Sequence, residues 1–156
     1  MNSMDQQYLE EFRLDTFLNG RGYKKLRENM FSELRANYKL KQIEVDILLY
    51  LIGAKRTTAS EIYRQLNLNK GQVSLAVASL CRRGYLKAEA DAGDRRLMHL
   101  QLTDEAEPLI REIQAVRKKA QSFLLQDFSP SELEALCMLS MRLCSNFENY
   151  IRLSCV

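Results

Sequence analysis

The feature that most constrains this chain is a series of helix-start and turn signals within residues 57–103. The run Thr58-Ala59-Ser60-Glu61 has the Thr-x-x-Glu spacing of a capping box, which predicts a short helix over 59–66. After a brief polar turn, Asn69 is a favoured N-cap residue and predicts a second helix over 70–83. Two short helices joined by a tight turn are typical of a helix-turn-helix motif.

A glycine and an alternating pattern follow the second helix. Gly84 occupies the position just past the helix end where glycine is favoured, because it has no Cβ to oppose a left-handed backbone. Apolar and polar residues then alternate over 85–90 and, less regularly, over 97–102, with a glycine-containing turn at 91–96. This pattern predicts a β-hairpin directly after the helix-turn-helix, in other words a wing.

Amphipathic helices are predicted on both sides of this region. Residues 4–36 carry apolar residues at helical spacing, with a weak point at the glycine pair of 19–22 that either kinks or divides the helix. Residues 41–52 predict a second, mostly buried helix. Thr103 is expected to cap a long helix that ends near Asp127. The predicted buried face of that helix consists of Leu109, Ile113, Val116, Ala120 and Phe123.

The last helix begins at the strong start signal Ser129-Pro130-Ser131-Glu132, and its apolar residues recur in steps of three and four. A winged lobe of 47 residues, 57–103, cannot cover three long amphipathic helices by itself. This favours a dimer core over the alternative, an intramolecular helix bundle. The residues expected to form that dimer core are Leu133, Leu136, Leu143, Phe147 and Tyr150.

These elements predict a mainly α fold with a small β-hairpin wing. With only 2 Pro and 6 Gly, the composition also favours helix. We expect residues 1–40 to form an N-terminal dimerisation helix, 41–103 a winged helix-turn-helix lobe, and 104–156 the C-terminal dimerisation helices.

The net charge of +3 is unevenly distributed along the chain. Residues 55–103 hold nine Lys and Arg against four Asp and Glu, a net charge of +5, whereas residues 1–54 are neutral and 104–156 carry −2. A basic region between neutral or acidic flanks is typical of a surface that binds a polyanion. An ordinary solvated surface is the alternative that charge alone leaves open.

Several function classes are disfavoured by what the sequence lacks. The longest apolar run, 47–52, is far shorter than the roughly 18 residues of a membrane span. Residues 1–6 carry acid and amide side chains where a signal peptide would be basic, so we expect a cytoplasmic protein without membrane association. No glycine-rich phosphate loop, paired nucleophile and His, or convergent carboxylate pair is present. We therefore expect neither an enzyme nor a cofactor.

The cysteines show no spacing typical of a metal site. Cys81, Cys137, Cys144 and Cys155 form no C-x-x-C pair, and a single histidine, His99, leaves no partner for a His-based zinc site. His99 is expected to be structural or exposed rather than catalytic. We interpret the cysteines as buried thiols, with a redox switch as the alternative.

Several short motifs occur together across the winged region. They are Ala59-Ser60-Glu61-Ile62, Val73-Ser74, Leu80-x-x-x-Gly84, Asp94-Arg95-Arg96 and Leu102-Thr103. The chain in this respect resembles the MarR-type (multiple antibiotic resistance regulator) transcriptional regulators. The resemblance implies a homodimer with intertwined terminal helices and two winged lobes that bind palindromic DNA. In many members of the family, a small molecule or oxidation releases the DNA.

The start of the second motif helix presents Lys70, Gln72 and Ser74 away from the Val73 side of the helix. Side chains at this end of a recognition helix reach base edges in the major groove. Gln can pair with adenine, Lys can donate to guanine, and Ser can contact either. Family members often have Arg where this chain has Leu75.

The wing and the first motif helix supply the other expected DNA contacts. The resemblance assigns Arg96 to the minor groove and Asp94 to holding that arginine in position, and Arg95 is expected at a phosphate. Thr58 and Ser60 open the first motif helix, where they could donate to phosphate together with backbone N–H groups.

The resemblance therefore implies a MarR-type regulator, a repressor by our interpretation, that binds palindromic operator DNA as a homodimer. A small-molecule effector is our interpretation of the trigger for release, and a regulator without a trigger also stays open. Two alternatives remain open at this point. One is a thiol-based redox sensor of the same fold. The other is a winged-helix protein-interaction module that does not bind DNA, for which a wing arginine and a net charge of +5 on residues 55–103 would have no use.

Overall fold

The computed structural model describes residues 21–54, 56–94 and 96–154. It begins with three helices. They are α1 (Arg21–Met30), α2 (Ser32–Tyr38) and α3 (Gln42–Gly53). The third helix matches the helix predicted over 41–52.

The helix-turn-helix and the wing follow as expected. Helix α4 spans Ala59–Gln65 and helix α5 spans Lys70–Arg82. The strands are β1 (Thr57–Thr58), β2 (Leu86–Ala90) and β3 (Met98–Leu102), in the spatial order β1-β3-β2. Both pairings are antiparallel, with β2 and β3 forming the predicted hairpin. The short strand β1 is an addition to the prediction, because two residues are too few to show an alternating pattern.

A 3₁₀ turn, Asp104–Ala106, leads into the last two helices. These are α6 (Glu107–Leu124) and α7 (Pro130–Ser154). At the start of α7, the Ser129 backbone N–H and hydroxyl donate to Glu132 Oε2 at 2.8 and 2.6 Å, and the Glu132 N–H donates back to Ser129 Oγ at 3.4 Å. The predicted capping box is confirmed. No described helix combines the length and apolarity that a membrane span requires.

The described chain divides into two compact units, one extending to Arg117 and the other beginning at Lys118. The first unit has a single hydrophobic core to which each of its helices from α2 to α6 contributes. Its fully buried large side chains are Phe31, Val45, Ile47, Leu48, Ile62, Val73, Leu80, Leu109 and Ile113. The core therefore joins residues from all three segments whose boundaries were predicted at 40 and 103, and those boundaries stay a prediction.

Three expectations about the helices are corrected. The helix predicted over 4–36 is interrupted at Phe31, whose completely buried side chain turns into the core, while Gly22 lies within α1. Residues 1–20, which include Gly20, lie outside the described part of the chain. Phe123 was expected on the buried face of α6 but is 70% exposed.

The third correction concerns Thr103. Its side chain makes no capping hydrogen bond to the helix that follows. Instead, Thr103 Oγ1 donates to the backbone carbonyl of Gly84, and the Thr103 N–H donates to the carbonyl of Tyr85 at 3.2 Å. Thr103 thus joins the exit from the wing to the loop that enters it. The sequence did not show that Thr103 would bond to Gly84 instead of capping the helix, because Gly84 lies 19 residues away.

Candidate nucleic-acid interface

The leading end of α5 is a well-formed, solvent-facing helix start. Asn69 caps it as predicted, because its Oδ1 accepts hydrogen bonds from the N–H groups of Gly71 and Gln72 at 2.9 and 3.3 Å. Lys70, Gln72 and Ser74 are all exposed. Ser74 Oγ donates to the carbonyl of Lys70 at 3.0 Å, which leaves its lone pairs able to accept from another group.

The buried side of α5 holds the helix against the rest of the lobe. Val73, Ala76 and Leu80 lie in the core, with exposures of 1, 4 and 0%, as the 3-4 spacing predicted. Their burial fixes the rotation of the helix about its own axis. The opposite side, which includes Leu75 at 73% exposure, is consequently turned to solvent.

At the start of α4, Thr58 and Ser60 were both predicted to contact phosphate, but the structure places them in different environments. Thr58 is 7% exposed, and its hydroxyl forms the capping box: it accepts from the Glu61 N–H and donates to Glu61 Oε2, both at 3.2 Å. The Thr58 backbone N–H and the Thr57 hydroxyl also donate to Glu61, which lowers the pKa of Glu61. The Thr58 hydroxyl is therefore buried and engaged within the protein, and its contact with phosphate stays a prediction. Ser60 is exposed.

Two aspartates organise the tip of the wing. Asp91 Oδ1 accepts from the backbone N–H groups of Gly93 and Asp94 at 2.8 and 3.2 Å. Asp94 Oδ1 in turn accepts from the backbone N–H of Arg96 at 2.9 Å. Asp94 thus positions Arg96 through its main chain, and the Arg96 side chain is exposed. Arg95 lies outside the described residues.

Asp91 also connects the tip to the base of the wing. Its Oδ2 contacts His99 Nε2 on β3 at 2.8 Å and lies 3.8 Å from a guanidinium nitrogen of Arg56. The Gly93 backbone hydrogen bond, followed by the His99 contact and the Asp94 N–H, lowers the pKa of Asp91 from 3.8 to about 2. The carboxylate is therefore ionised and accepting throughout the physiological range. His99 has a structural position here, as expected, with its side chain 15% exposed.

Replacing Asp91 with Ala should loosen the wing tip. Without the carboxylate, the amides of Gly93 and Asp94 lose their acceptor, so we expect their hydrogen exchange to accelerate several-fold at pH 7. In the wild-type protein, hydrogen exchange at these two amides, corrected for intrinsic rates, should accelerate in the same way as pH falls from 4 towards 2. The Asp91 carboxylate stabilises the folded wing above its ordinary pKa, and this stabilisation is lost as pH falls through the lowered pKa of Asp91.

Glu89→Ala is the matched control for Asp91→Ala, since Glu89 is an exposed wing carboxylate paired with Lys87 at 2.8 Å. Its removal should leave exchange at the tip unchanged. Equal effects of the two substitutions would contradict the role given to Asp91.

Arg83, at the C-terminal end of α5, is engaged within the protein. Its guanidinium donates to the carbonyls of Tyr38 and Lys39, the latter at 3.4 Å, and lies 5.0 Å above the ring of Tyr85. It therefore joins the end of α5 to the end of α2. Arg83 counts toward the basic excess of residues 55–103, yet its contacts indicate that it holds α5 in place.

The last helix exposes a long apolar surface. In the chain by itself, Leu136 and Tyr150 of the predicted stripe are 38 and 71% exposed, while Leu133, Leu143 and Phe147 are half-buried. Further large apolar side chains are exposed on the same helix, and they are Met138, Leu139, Met141, Ile151 and Leu153. Monomeric soluble proteins rarely expose an apolar surface of this extent.

The cysteines differ from the expectation of buried thiols. Cys137 and Cys144 are exposed on α7, and only Cys81 is partly buried. Burial raises the pKa of Cys81, which makes it less reactive as a thiolate. Cys155 lies outside the part of the chain that the structure describes.

Two residues of the site were missed from the sequence. Asp91 was detectable, because Asp two residues before Gly is the spacing of an Asx turn. Arg83 was not, since its acceptors are main-chain carbonyls more than 40 residues away.

Comparison with known proteins agrees with this geometry. A profile of the MarR family matches residues 38–97. The transcriptional regulator AdcR of Streptococcus pneumoniae is 37% identical over 65 residues, which are 42% of this chain and 44% of that protein. The AdcR of Streptococcus pyogenes is 29% identical over 110 residues, which are 69% of this chain and 74% of that protein. The chain thus spans less than half the length of the first of these relatives.

Solved structures show the same fold. The apo form of MarR from E. coli aligns with a TM-score of 0.66 at 14% identity, covering 85% of this chain and 96% of that one. A MarR family regulator from Silicibacter pomeroyi aligns with a TM-score of 0.74 at 16% identity, covering 85 and 89%. The fold and the exposed recognition helix define a winged helix-turn-helix protein. These comparisons support a MarR-type winged-helix regulator, in agreement with the resemblance identified from the sequence.

Proposed function

We propose that this protein is a sequence-specific transcriptional regulator that binds palindromic double-stranded DNA as a homodimer. The observation that carries the proposal is the start of α5, which is capped by Asn69 and fully exposed. A helix held by its buried face and presenting its N-terminal residues to solvent is the arrangement that enters a major groove. The proposed base-reading residues are Lys70, Gln72 and Ser74.

The wing supplies a second contact to the same duplex. An exposed Arg96 at an ordered hairpin tip suits insertion into a narrow minor groove, where the negative potential is enhanced. Ser60, exposed at the start of α4, is proposed to contact phosphate, as is Arg95. These backbone contacts would orient the lobe, while α5 would read the sequence.

The exposed apolar surface of α7 supports the dimer. A second copy of the chain would cover it, and a two-fold axis would then place two α5 helices on two half-sites of a palindrome. A repressor that blocks a promoter and is released by a small-molecule effector is the specific form of regulator that we propose.

The direct test is selection of bound fragments from a random pool of double-stranded DNA. We expect enrichment of a palindrome whose half-sites lie about 10–10.5 base pairs apart, centre to centre. Repeating the selection with an oxidant tests the redox alternative. If no sequence is enriched and the protein binds DNA no better than an acidic protein control does, the regulator proposal fails and the protein-interaction module is favoured.

The wing and the recognition helix should contribute differently to binding. Arg96→Ala removes a contact that reads groove shape, so we expect weaker binding to all sites, most of all to those with A·T-rich flanks. Gln72→Ala removes a bidentate base contact, so we expect relaxed preference at one base pair per half-site, by about 1–3 kcal/mol. Affinities measured on matched operator variants distinguish the two patterns.

Asp94→Ala tests whether the position of Arg96 in the wing matters for binding. Because the Asp94 carboxylate orders the Arg96 main chain without contacting DNA itself, its loss should reproduce the Arg96→Ala pattern more weakly. If Arg96→Ala left affinity unchanged on every site, the minor-groove role of the wing would be wrong.

The cysteines should be dispensable for DNA binding. Cys81 is late in α5, away from its leading end, and Cys137 and Cys144 are on α7. We expect a variant with all four cysteines changed to Ser to bind the selected operator as tightly as wild type. A folded variant that fails to bind would contradict this. A variant that binds but no longer responds to oxidant would support the redox-sensing alternative.

A further inference from the structure

Leu75 is the most exposed large apolar residue among the described residues of the first unit. It is 73% exposed, whereas the next two, Met98 and Leu97 near the wing, are 44 and 41% exposed. A leucine directed into water in this way contributes nothing to the core of its own chain. It lies on the edge of a groove of about 340 Å³ between α3 and α5 whose other apolar lining includes Ile43 and Leu68.

The position of Leu75 on α5 follows from helix geometry. Successive residues are rotated by about 100°, and the buried residues Val73, Ala76 and Leu80 define the inner side. The line directly opposite runs through Gly71, Leu75, Ala78 and Arg82, at spacings of four, three and four, and all four residues are exposed.

The neighbours of Leu75 along this line are small. Gly71 has no side chain and Ala78 has a single methyl group. The leucine therefore projects from the centre of an otherwise shallow helix face, where it would be the first side chain to meet a surface approached by α5.

The exposed charges of α5 favour a polyanion as that surface, since the two acidic residues that line the adjacent groove, Glu44 and Asp46, are buried. Helix α5 contains no acidic residue, and Lys70 and Arg82 lie at its two ends. In the major groove of B-DNA, the one apolar group that a base pair presents is the C5-methyl of thymine. An exposed leucine on a helix whose charged residues are all cationic is chemically matched to a methyl group on the floor of a polyanionic groove.

We propose that Leu75 is a specificity-determining residue that recognises a thymine in each half-site through its C5-methyl group. The inference rests on the proposed function, because it requires α5 to lie in the major groove. Burying one methyl group against a leucine corresponds to about a four-fold gain in affinity per half-site.

The test uses operator duplexes obtained from the wild-type selection, in which each thymine is replaced in turn by deoxyuridine. This replacement removes the methyl group and leaves all hydrogen-bonding groups unchanged. We expect wild-type affinity to fall about four-fold per half-site at one or two positions and to be unchanged at the others.

Leu75→Ala should lower affinity for the thymine operator and should bind the thymine and deoxyuridine duplexes nearly equally. If Leu75→Ala removes the effect of the thymine methyl group on affinity, the leucine and the methyl group are energetically coupled. A merely structural role of Leu75 would not produce this coupling. Gln65→Ala, at an exposed position at the end of α4 that lies outside the proposed contacts, is the control and should keep the wild-type ratio between the two duplexes. Thermal melting checks that both variants are folded, and Leu75→Met provides a longer apolar replacement that should retain methyl sensitivity.

Leu75→Arg provides a gain-of-function test. An arginine at this position should shift preference from thymine toward guanine, since its guanidinium can donate two hydrogen bonds to guanine O6 and N7. A repeated selection with this variant measures the change.

The inference is overturned if no deoxyuridine substitution weakens wild-type binding, or if Leu75→Ala keeps the wild-type ratio between the two duplexes. Either result leaves the regulator proposal intact, because the operator itself has been selected. If wild type selects no DNA, both the proposed function and this inference fail, and the groove beside Leu75 becomes a candidate site for a protein or small-molecule partner.

Discussion

Replacing Phe147 with Asp is expected to convert the protein from a dimer into a monomer and to abolish specific DNA binding. Phe147 belongs to the apolar surface of α7 and is half-buried in the chain by itself. In a dimer core its ring would be enclosed, and an unpaired carboxylate there costs several kcal/mol. Sedimentation measures the mass of the particle in solution, and a binding titration with the selected operator measures the loss of specific DNA binding.

The matched control is Asn146→Asp, which adds the same charge at the adjacent, exposed position of α7. It should leave both mass and affinity unchanged. Because Phe147→Asp is expected to destabilise the fold as well, Leu143→Ala provides a milder variant that should weaken the dimer without adding a charge. A wild-type mass of one chain at micromolar concentration would refute the homodimer.

The second large effect concerns salt. Raising the salt concentration from 50 to 200 mM should weaken operator binding about a thousand-fold, the loss typical of a protein that makes about six phosphate contacts. Lys70, Arg95 and Arg96 from two subunits would supply six cations that displace the counterions of DNA. A flat dependence of affinity on salt would contradict the proposed interface.

Two variants distinguish a cation that contacts DNA from a cation that only holds α5 in place. Lys70→Ala removes an exposed cation from each half-site, so the slope of log affinity against log salt should decrease by about two for the dimer. Arg83→Ala removes a cation that donates to the carbonyls of Tyr38 and Lys39. It should lower affinity by loosening α5 while leaving that slope unchanged. Equal slopes for the two variants would contradict the assignment of Arg83 to positioning.

Local signals made the fold predictable. Helix starts depend on side chains that bond to main chain two or three residues away, and so the caps at Thr58, Asn69 and Ser129 were visible in the sequence. The wing was predictable for the same reason, since an alternating pattern and a glycine turn act over a few residues. The exposed start of α5 followed from the buried spacing of Val73, Ala76 and Leu80.

Two of the errors concern contacts that spacing along the chain does not show. Thr103 bonds to Gly84 across the base of the wing instead of capping a helix. Phe123 was placed on a buried face by its spacing, but spacing states only that residues share a side of a helix. Whether that side meets a core depends on what the rest of the molecule places there, and Phe123 is 70% exposed.

The sequence by itself therefore determined the order of the main described elements, the mainly helical winged fold and the resemblance to the MarR-type regulators. It also identified the leading end of α5 as the candidate recognition surface. Only the tertiary structure decided which polar groups are engaged with distant partners: Arg83 with the end of α2, Asp91 with His99, and Thr103 with Gly84. The physical reason is that a hydrogen bond or an ion pair requires two groups within about 3–4 Å, and long-range folding brings such groups together without a mark on the local pattern.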